Sequence, residues 1–223
     1  MLLRASLLLA LLFPCIAGAN SAAELSAQAE FRARFGPQTI LVWDAMRGVP
    51  SAVLGLELTL PGKTPVLQAR TFLQRHGALL GINPQDLMAA RQSGFHKRPV
   101  VHFQQSHGGV PVEGRFVALS FDESHRLIRV SSDWMPLGSA QNESTVNEAK
   151  VRAAITQRYP GSPQGKLSKV IVANAPRLMR VTWRVPVAIL PPFLIRMLWI
   201  DGESGKILQD RMVGKDVPGE VVR

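Results

Sequence analysis

Cysteine is almost missing from this chain. One residue of 223, Cys15, sits inside the first apolar run. If that run is removed, no disulfide can staple the fold and no cysteine-type zinc site can form, so packing alone must hold the chain. Charge is also sparse: Asp, Glu, Lys and Arg make up 19%, while 46% of residues are apolar. That balance is one of a chain that should fold, and disorder is not the default reading. No apolar run reaches the roughly 20 residues a transmembrane helix needs, so no transmembrane segment is expected. Runs of like charge are absent as well. The net charge is +10, but Arg32, Arg34, Arg47, Lys97, Arg98, Arg129, Arg177, Arg180 and Arg196 are scattered. Scattered cations argue against a nucleic-acid partner and fit an acidic protein partner better. The chain has no His-Glu-x-x-His, no Gly-x-Ser-x-Gly and no P-loop. The reading is therefore no catalytic residue, no metal ligand and no cofactor.

What is present begins with a leader. Met1 to Arg4 is short and basic, Leu7 to Ile16 is apolar with a break at Pro14, and Ala17-Gly18-Ala19 supplies small residues. This is the layout of a signal peptide over 1–19, with cleavage near Ala19 or, alternatively, after Ser21 or Ala23. The expected location is secreted or periplasmic. A lipoprotein site at Cys15 would need a small residue before it; Pro14 stands there, which favours a cysteine discarded with the leader.

Beyond the leader, Phe31 and Phe35 lie four apart in a stretch that reads as a short amphipathic helix docking on the body. A strand is expected over Gln38 to Asp44, a turn at Arg47-Gly48-Val49-Pro50, and a second strand over Val53 to Leu60. Thr64 and Pro65 start a helix; Val66, Ala69, Leu73, His76 and Leu80 recur on one face and Gly81 ends it. Asn83-Pro84-Gln85-Asp86 begins a short further helix. From Arg91 the period becomes two. Val101, Phe103 and Gln105 share one face, His102 and Gln104 the other; strands follow over Arg115 to Phe121 and Leu127 to Trp134.

After a linker at Pro136 to Asn142 the pattern repeats. Thr145-Val146-Asn147-Glu148 reads as a capping box, and Val146, Ala149, Ala153 and Tyr159 as the apolar side of a helix. Strands are expected at Lys169 to Val172, Arg180 to Ile189, Phe193 to Asp201 and from Lys206 onward. A helix followed by an antiparallel sheet, twice over, is an α+β architecture. The histidines His76, His96, His102, His107 and His125 read as boundary, strand or turn residues rather than ligands. Trp43, Trp134, Trp183 and Trp199 read as core or interface aromatics. Asn142-Glu143-Ser144 matches a glycosylation acceptor, a pattern too short to weigh much.

Val101-His102-Phe103-Gln104-Gln105, followed by Gly108-Gly109-Val110-Pro111-Val112-Glu113-Gly114, resembles the core of the fungalysin/thermolysin propeptide (FTP) domain. Arg47-Gly48-Val49-Pro50-Ser51 and His76-Gly77-Ala78-Leu79-Leu80-Gly81-Ile82 are similar to it too, so the likeness spans about residues 40–134. Phe103, Gln104, Gln105, Gly109, Pro111, Val112 and Gly114 are its motif positions here, structural rather than catalytic. Gly108-Gly109 suits a hairpin, Pro111 limits pairing, and Gly114 permits a bulge. Trp183-Arg184-Val185, Leu198-Trp199-Ile200-Asp201 and Gly205-Lys206-Ile207-Leu208 make the second unit resemble a PepSY domain.

The resemblance implies two cystatin-like units, each a helix on a curved antiparallel sheet. It implies this division: signal peptide 1–19, N-terminal segment 20–37, FTP-like domain 38–135, linker 136–144, PepSY-like domain 145–213 and tail 214–223. It also implies a non-catalytic module whose partner is a secreted thermolysin-like zinc metalloprotease, which it chaperones and inhibits. Two alternatives stay open. The chain is the front of a truncated metalloendopeptidase precursor that continues past Arg223, or it is an envelope binding protein reusing the fold.

Overall fold

The computed structural model describes residues 21–94, 98–137, 144–175, 178–189 and 194–215. The expected signal peptide, Cys15, His96, Lys97, Asn142 and Glu143 of the glycosylation pattern, Arg177, Phe193, and the tail from 216 onward lie outside these residues.

The first helix, α1 (Ala22–Phe35), starts where the Ser21 hydroxyl accepts the Glu24 N–H at 3.2 Å. Its buried residues are Phe31 and Phe35. Strand β1 (Ile40–Asp44) follows and pairs antiparallel with β2 (Val49–Leu58). The turn ends two residues earlier than the sequence suggested: Val49 and Pro50 already belong to the ladder, because Asp44 closes the turn by accepting from the Arg47 N–H and guanidinium. The Gln28 side chain reaches from α1 to the outer edge of β1. It donates to the Thr39 carbonyl at 3.0 Å and accepts from the Leu41 N–H at 2.8 Å. That edge is therefore capped by a helix side chain rather than left open to another strand.

Helix α2 (Pro65–His76) begins as its sequence dictates. The Thr64 hydroxyl accepts the Leu67 N–H, and Pro65 occupies the first turn. Ala69, Phe72 and Leu73 are buried against the sheet, and truncating such a Leu or Phe to Ala costs about 2–5 kcal/mol. The periodic stretch does not stay α-helical to Leu80; after His76 it tightens to a 3₁₀ turn (Gly77–Leu80) closed by Gly81. The second expected helix at Asn83 is a single 3₁₀ turn, Pro84–Asp86, and a strand not foreseen, β3 (Leu87–Ser93), leads out of it. Strands β4 (Val100–His107), β5 (Val110–Phe121) and β6 (Leu127–Ser132) complete the antiparallel order β1-β2-β6-β5-β4-β3. Both α1, the docking helix expected from Phe31 and Phe35, and α2 contribute to the one core that this sheet covers.

Helix α3 (Glu148–Arg158) opens the second unit. The expected capping box at Thr145 does not form. Asn147 is the cap, its side chain accepting the Lys150 N–H at 3.0 Å, while Thr145 donates to the Gly202 carbonyl. The shift of register moves the buried side to Val151 and Ile155, and leaves Ala149 and Ala153 exposed. Strands β7 (Ser168–Ala175), β8 (Leu178–Ile189), β9 (Leu194–Asp201) and β10 (Ile207–Lys215) form an antiparallel sheet against α3. Its core is Val146, Val151, Ile155, Leu167, Val185, Val187, Leu198 and Ile200. Tyr159 at the end of α3 donates to the Asp210 carboxylate, which also takes the Arg196 guanidinium, so the helix end is tied to β9 and β10.

The fold is thus α+β, but the two sheets are not separate. β5 pairs with β7 in parallel through Val112 and Ile171, making one path of strands across both units. Between them the chain leaving β6 crosses through a buried junction, where Met135 and Leu137 pack with Val112, Ile171, Ala173 and Val181. Leu137, expected in a linker, is therefore core.

That crossing has no strand partner for most of its backbone, and side chains supply one. Gln105, 1% exposed, donates to the Met135 carbonyl at 2.7 Å and accepts from the Met135 N–H at 2.9 Å. The Arg47 guanidinium donates to the carbonyls of Ser132 and Trp134 at 2.9 and 3.1 Å. Arg47 is itself anchored by Asp44 at 2.7 Å. Burial alone would raise the Asp44 carboxyl, but the Arg47 N–H and guanidinium outweigh it and hold it below its ordinary value.

Two outcomes follow. Gln105→Leu leaves a buried N–H and a buried carbonyl unpaired, at about 1–3 kcal/mol each. Thermal unfolding should then shift down by roughly 5–15 °C. Gln104→Leu, at the exposed neighbour, should shift it by about 2 °C or less. The second outcome concerns His76, which packs half-buried on Phe35 and Phe72. Burial first, then Arg34 and Arg75, push its pKa below the ordinary 6.5. A depressed histidine binds fewer protons folded than unfolded, so stability is complete above 6.5 and declines as pH falls through the folded value. Urea midpoints measured from pH 7.5 to pH 5 should fall in the native chain, and that part of the fall should vanish in His76→Gln.

Candidate functional site

The hairpin between β4 and β5 shapes the candidate site. Gly108 and Gly109 turn it with φ of 54° and 79°, a region that disfavours other residues. Pairing then runs from His107–Val110 and Ser106–Pro111 directly to Gln104–Phe116. One residue of β4, Gln105, faces four of β5: Val112, Glu113, Gly114 and Arg115. The excess is thrown out as a bulge, and Gly114 at φ 65° lets the chain rejoin the ladder. A Cβ at Gly114 would meet no atom within 4 Å, so the need for glycine is one of backbone conformation.

The motif residues divide by role. Phe103 is buried in the first core with the Arg70 guanidinium 5.4 Å from its ring centre. Gln104 lies exposed, its amide 3.4 Å from the Val112 carbonyl. Gln105 holds the crossing chain. Pro111 faces Ser106 near the turn, and Val112 is buried where the two sheets meet. These residues lie on the two strands around the bulge.

What the bulge delivers is the pair that the sequence reading passed over. Glu113 is engaged by Arg184 of β8 at 2.9 Å, and Arg115 donates to the Ala173 carbonyl of β7 at 2.7 Å. Both side chains line a cleft of about 720 Å³ on the face of the second sheet that α3 does not cover. Arg180, Thr182, Trp199 and Arg211 line it as well. Trp199 is nearly buried, with the Arg211 guanidinium 5.8 Å from its ring centre. The Arg180 side chain is 70% exposed; its nearest carboxylate is Asp201 at 3.7 Å. Asp201 is occupied by its own turn. It accepts from the N–H groups of Glu203 and Ser204, and the Ser204 N–H leads in holding it below its ordinary pKa. The cleft therefore has an excess of cations. Its signal in the sequence is the alternation Arg180, Thr182, Arg184, three positions on one face of a strand.

Beside the cleft, β10 ends the sheet path, and Leu208, Met212 and Val213 on it are exposed. On the first sheet, His102 bonds the Ser93 hydroxyl at 3.0 Å across the β3–β4 pair. Among the described residues no three His, Asp or Glu gather as a metal site would require, and no helix is long and apolar enough to cross a membrane.

No curated protein matches the chain. Among solved structures, the Bacillus megaterium YpeB C-terminal domain is similar at 11% identity and a TM-score of 0.42, over 88% of this chain and 100% of that one. The Fungalysin/Thermolysin Propeptide Motif matches residues 100–133, so the family likeness falls on β4, β5 and β6, the strands that carry the glutamine clamp and the bulge.

Proposed function

We propose that the chain is a non-catalytic, exported, propeptide-like module that docks on a thermolysin-type zinc metalloprotease, assists its folding and holds it inactive. The observation that carries this reading is the propeptide motif at 100–133. The matched strands do two jobs at once here. Gln105 fixes the crossing between the units, and the bulge puts Glu113 and Arg115 on the open face of the second sheet. A surface of two units joined by strand pairing and a shared core suits recognition of a folded or folding partner.

We further infer an FTP-like unit over 38–135 and a PepSY-like unit over 145–213, with a leader at 1–19 removed on export. The chemistry of hydrolysis then belongs to the partner, and the module needs no cofactor of its own. The open end of β10 offers backbone groups for strand addition, and the cationic cleft offers steering of an acidic enzyme.

Inhibition in trans tests the reading. Residues 20–223, mixed with a mature thermolysin-like protease from the same genome, should give saturable inhibition of peptide hydrolysis in the micromolar range. They should also raise the yield of active enzyme when the denatured protease is refolded beside them. A folded module that does neither at 100 µM would sink the proposal.

A further inference from the structure

We infer that the cleft on the open face of the second sheet is a binding site for an extended, carboxylate-rich peptide segment of a partner protein. The inference rests on the chain being a binding module. It does not depend on the partner being a protease.

The first support is charge left over after internal pairing. Among the described residues that line the cleft, Arg115, Arg180 and Arg211 are its cations and Glu113 its carboxylate. Glu113 is neutralised by Arg184, from the neighbouring strand face, with both carboxylate oxygens within 3.1 Å of one guanidinium nitrogen. Asp201 gives Arg180 one oxygen at 3.7 Å, its other oxygen being held by the Glu203 and Ser204 N–H groups, while among the described residues Arg115 and Arg211 have no carboxylate partner. The three arginines are thus incompletely matched by acid on their own surface. Arginine presents a planar fork that matches a carboxylate with two parallel hydrogen bonds, so carboxylate is the chemistry the cleft selects.

The second support is spacing. Arg115 stands on β5, Arg180 on β8 and Arg211 on β10, along the order β5-β7-β8-β9-β10. At about 4.8 Å between neighbouring strands the outer two lie at least roughly 19 Å apart, and they are offset along the strands too, Arg211 being level with Met197 and Pro186 and Arg115 bonded to Ala173, which is level with Met179. A single small anion spans a fraction of that distance. An extended peptide rises about 3.3 Å per residue, so at least six or seven residues are needed to reach from end to end, with acidic side chains recurring on one face. The floor suits such a segment. Thr182 and Trp199 are buried between the charged positions, and Leu208 adds an apolar shoulder beside β10.

The third support is how the arginines are held. Arg115 is fixed by the Ala173 carbonyl and Arg211 lies against the Trp199 ring, so two of the three forks are restrained before anything binds. Less side-chain entropy is then lost on association. Arg180 is the exposed third, on β8, with Asp201 at 3.7 Å.

The test uses the full chain and a dye-labelled ten-residue peptide alternating Glu and Val, followed by fluorescence anisotropy at physiological salt. The expected result is saturable binding, lost at least tenfold in Arg180→Glu/Arg211→Glu. Arg75→Glu/Arg129→Glu, which changes the charge equally at exposed positions outside the cleft, should change affinity less than threefold. Arg180→Gln/Arg211→Gln, compared with the native chain by circular dichroism, reports the same loss without introducing new acid. Equal loss in the cleft and control pairs would show attraction by bulk charge only and overturn the site. So would an absence of binding up to 1 mM. Tighter, cleft-dependent binding of a short DNA duplex or of inorganic phosphate would overturn the choice of a carboxylate peptide. Protease inhibition that survives Arg180→Glu/Arg211→Glu counts against the cleft alone. Peptide binding without any inhibition counts against the protease reading alone.

Discussion

A buried chain cannot leave its backbone polar groups unpaired, and the crossing from β6 toward the second unit is where this protein meets that constraint. From Ser132 to Leu137 the chain runs through the junction between sheets with no ladder along most of its length. Every group that strand pairing would have satisfied must find a side chain or a neighbouring carbonyl. Asp133 donates to Phe116, Trp134 to the Ser132 hydroxyl, Met135 exchanges two bonds with Gln105, and Arg47 collects the carbonyls of Ser132 and Trp134. Remove these and the crossing must either hydrate or move, and Val112, Met135 and Leu137 move with it. The path of the crossing depends on a glutamine and an arginine, beside the β5–β7 pairing and the junction core that also join the units.

The same economy explains the β5 bulge. A straight β5 would pair with β4 throughout and offer nothing to β7. By placing four residues opposite Gln105, the chain frees Val112 to pair with Ile171 and swings Glu113 and Arg115 toward the second sheet. Glycine at 114 makes the geometry accessible; a residue with a Cβ at φ 65° would carry about 1–2 kcal/mol of strain. Bulge and clamp are two halves of one device, since Gln105 is the β4 residue left facing the bulge and its side chain is free to hold Met135.

On the surface this arrangement yields a contrast between the ends of the sheet path. At β1, Gln28 occupies the outer N–H and carbonyl positions. At β10 the last strand carries exposed Leu208, Met212 and Val213 next to a cleft rich in arginine. One end is closed to strand addition by the chain's own helix, and the other, among the described residues, keeps its apolar and cationic features exposed.

Much of the local structure was legible in the residues themselves. Thr64-Pro65 starts a helix by capping chemistry, and Phe31, Phe35, Ala69 and Leu73 mark buried helix faces by spacing. The alternation through Val101, Phe103 and Gln105 marks a strand face. These are nearest-neighbour properties, set by hydrogen-bond closure and side-chain period, so sequence determines them. The α+β class was legible for the same reason; the propeptide-like motif was legible by its resemblance to that family. The cap of α3 fell on Asn147 rather than Thr145 because Thr145 and Ser144 are drawn to the Gly202 carbonyl, a group 57 and 58 residues away. Strand β3 exists because β4 offers it an edge. The parallel pairing of Val112 with Ile171, the burial of Leu137 and the gathering of Arg115, Arg180 and Arg211 into one cleft belong to the tertiary structure alone. Each depends on contacts between residues distant in the chain, and no periodicity along the sequence encodes which distant backbone group will be left without a partner.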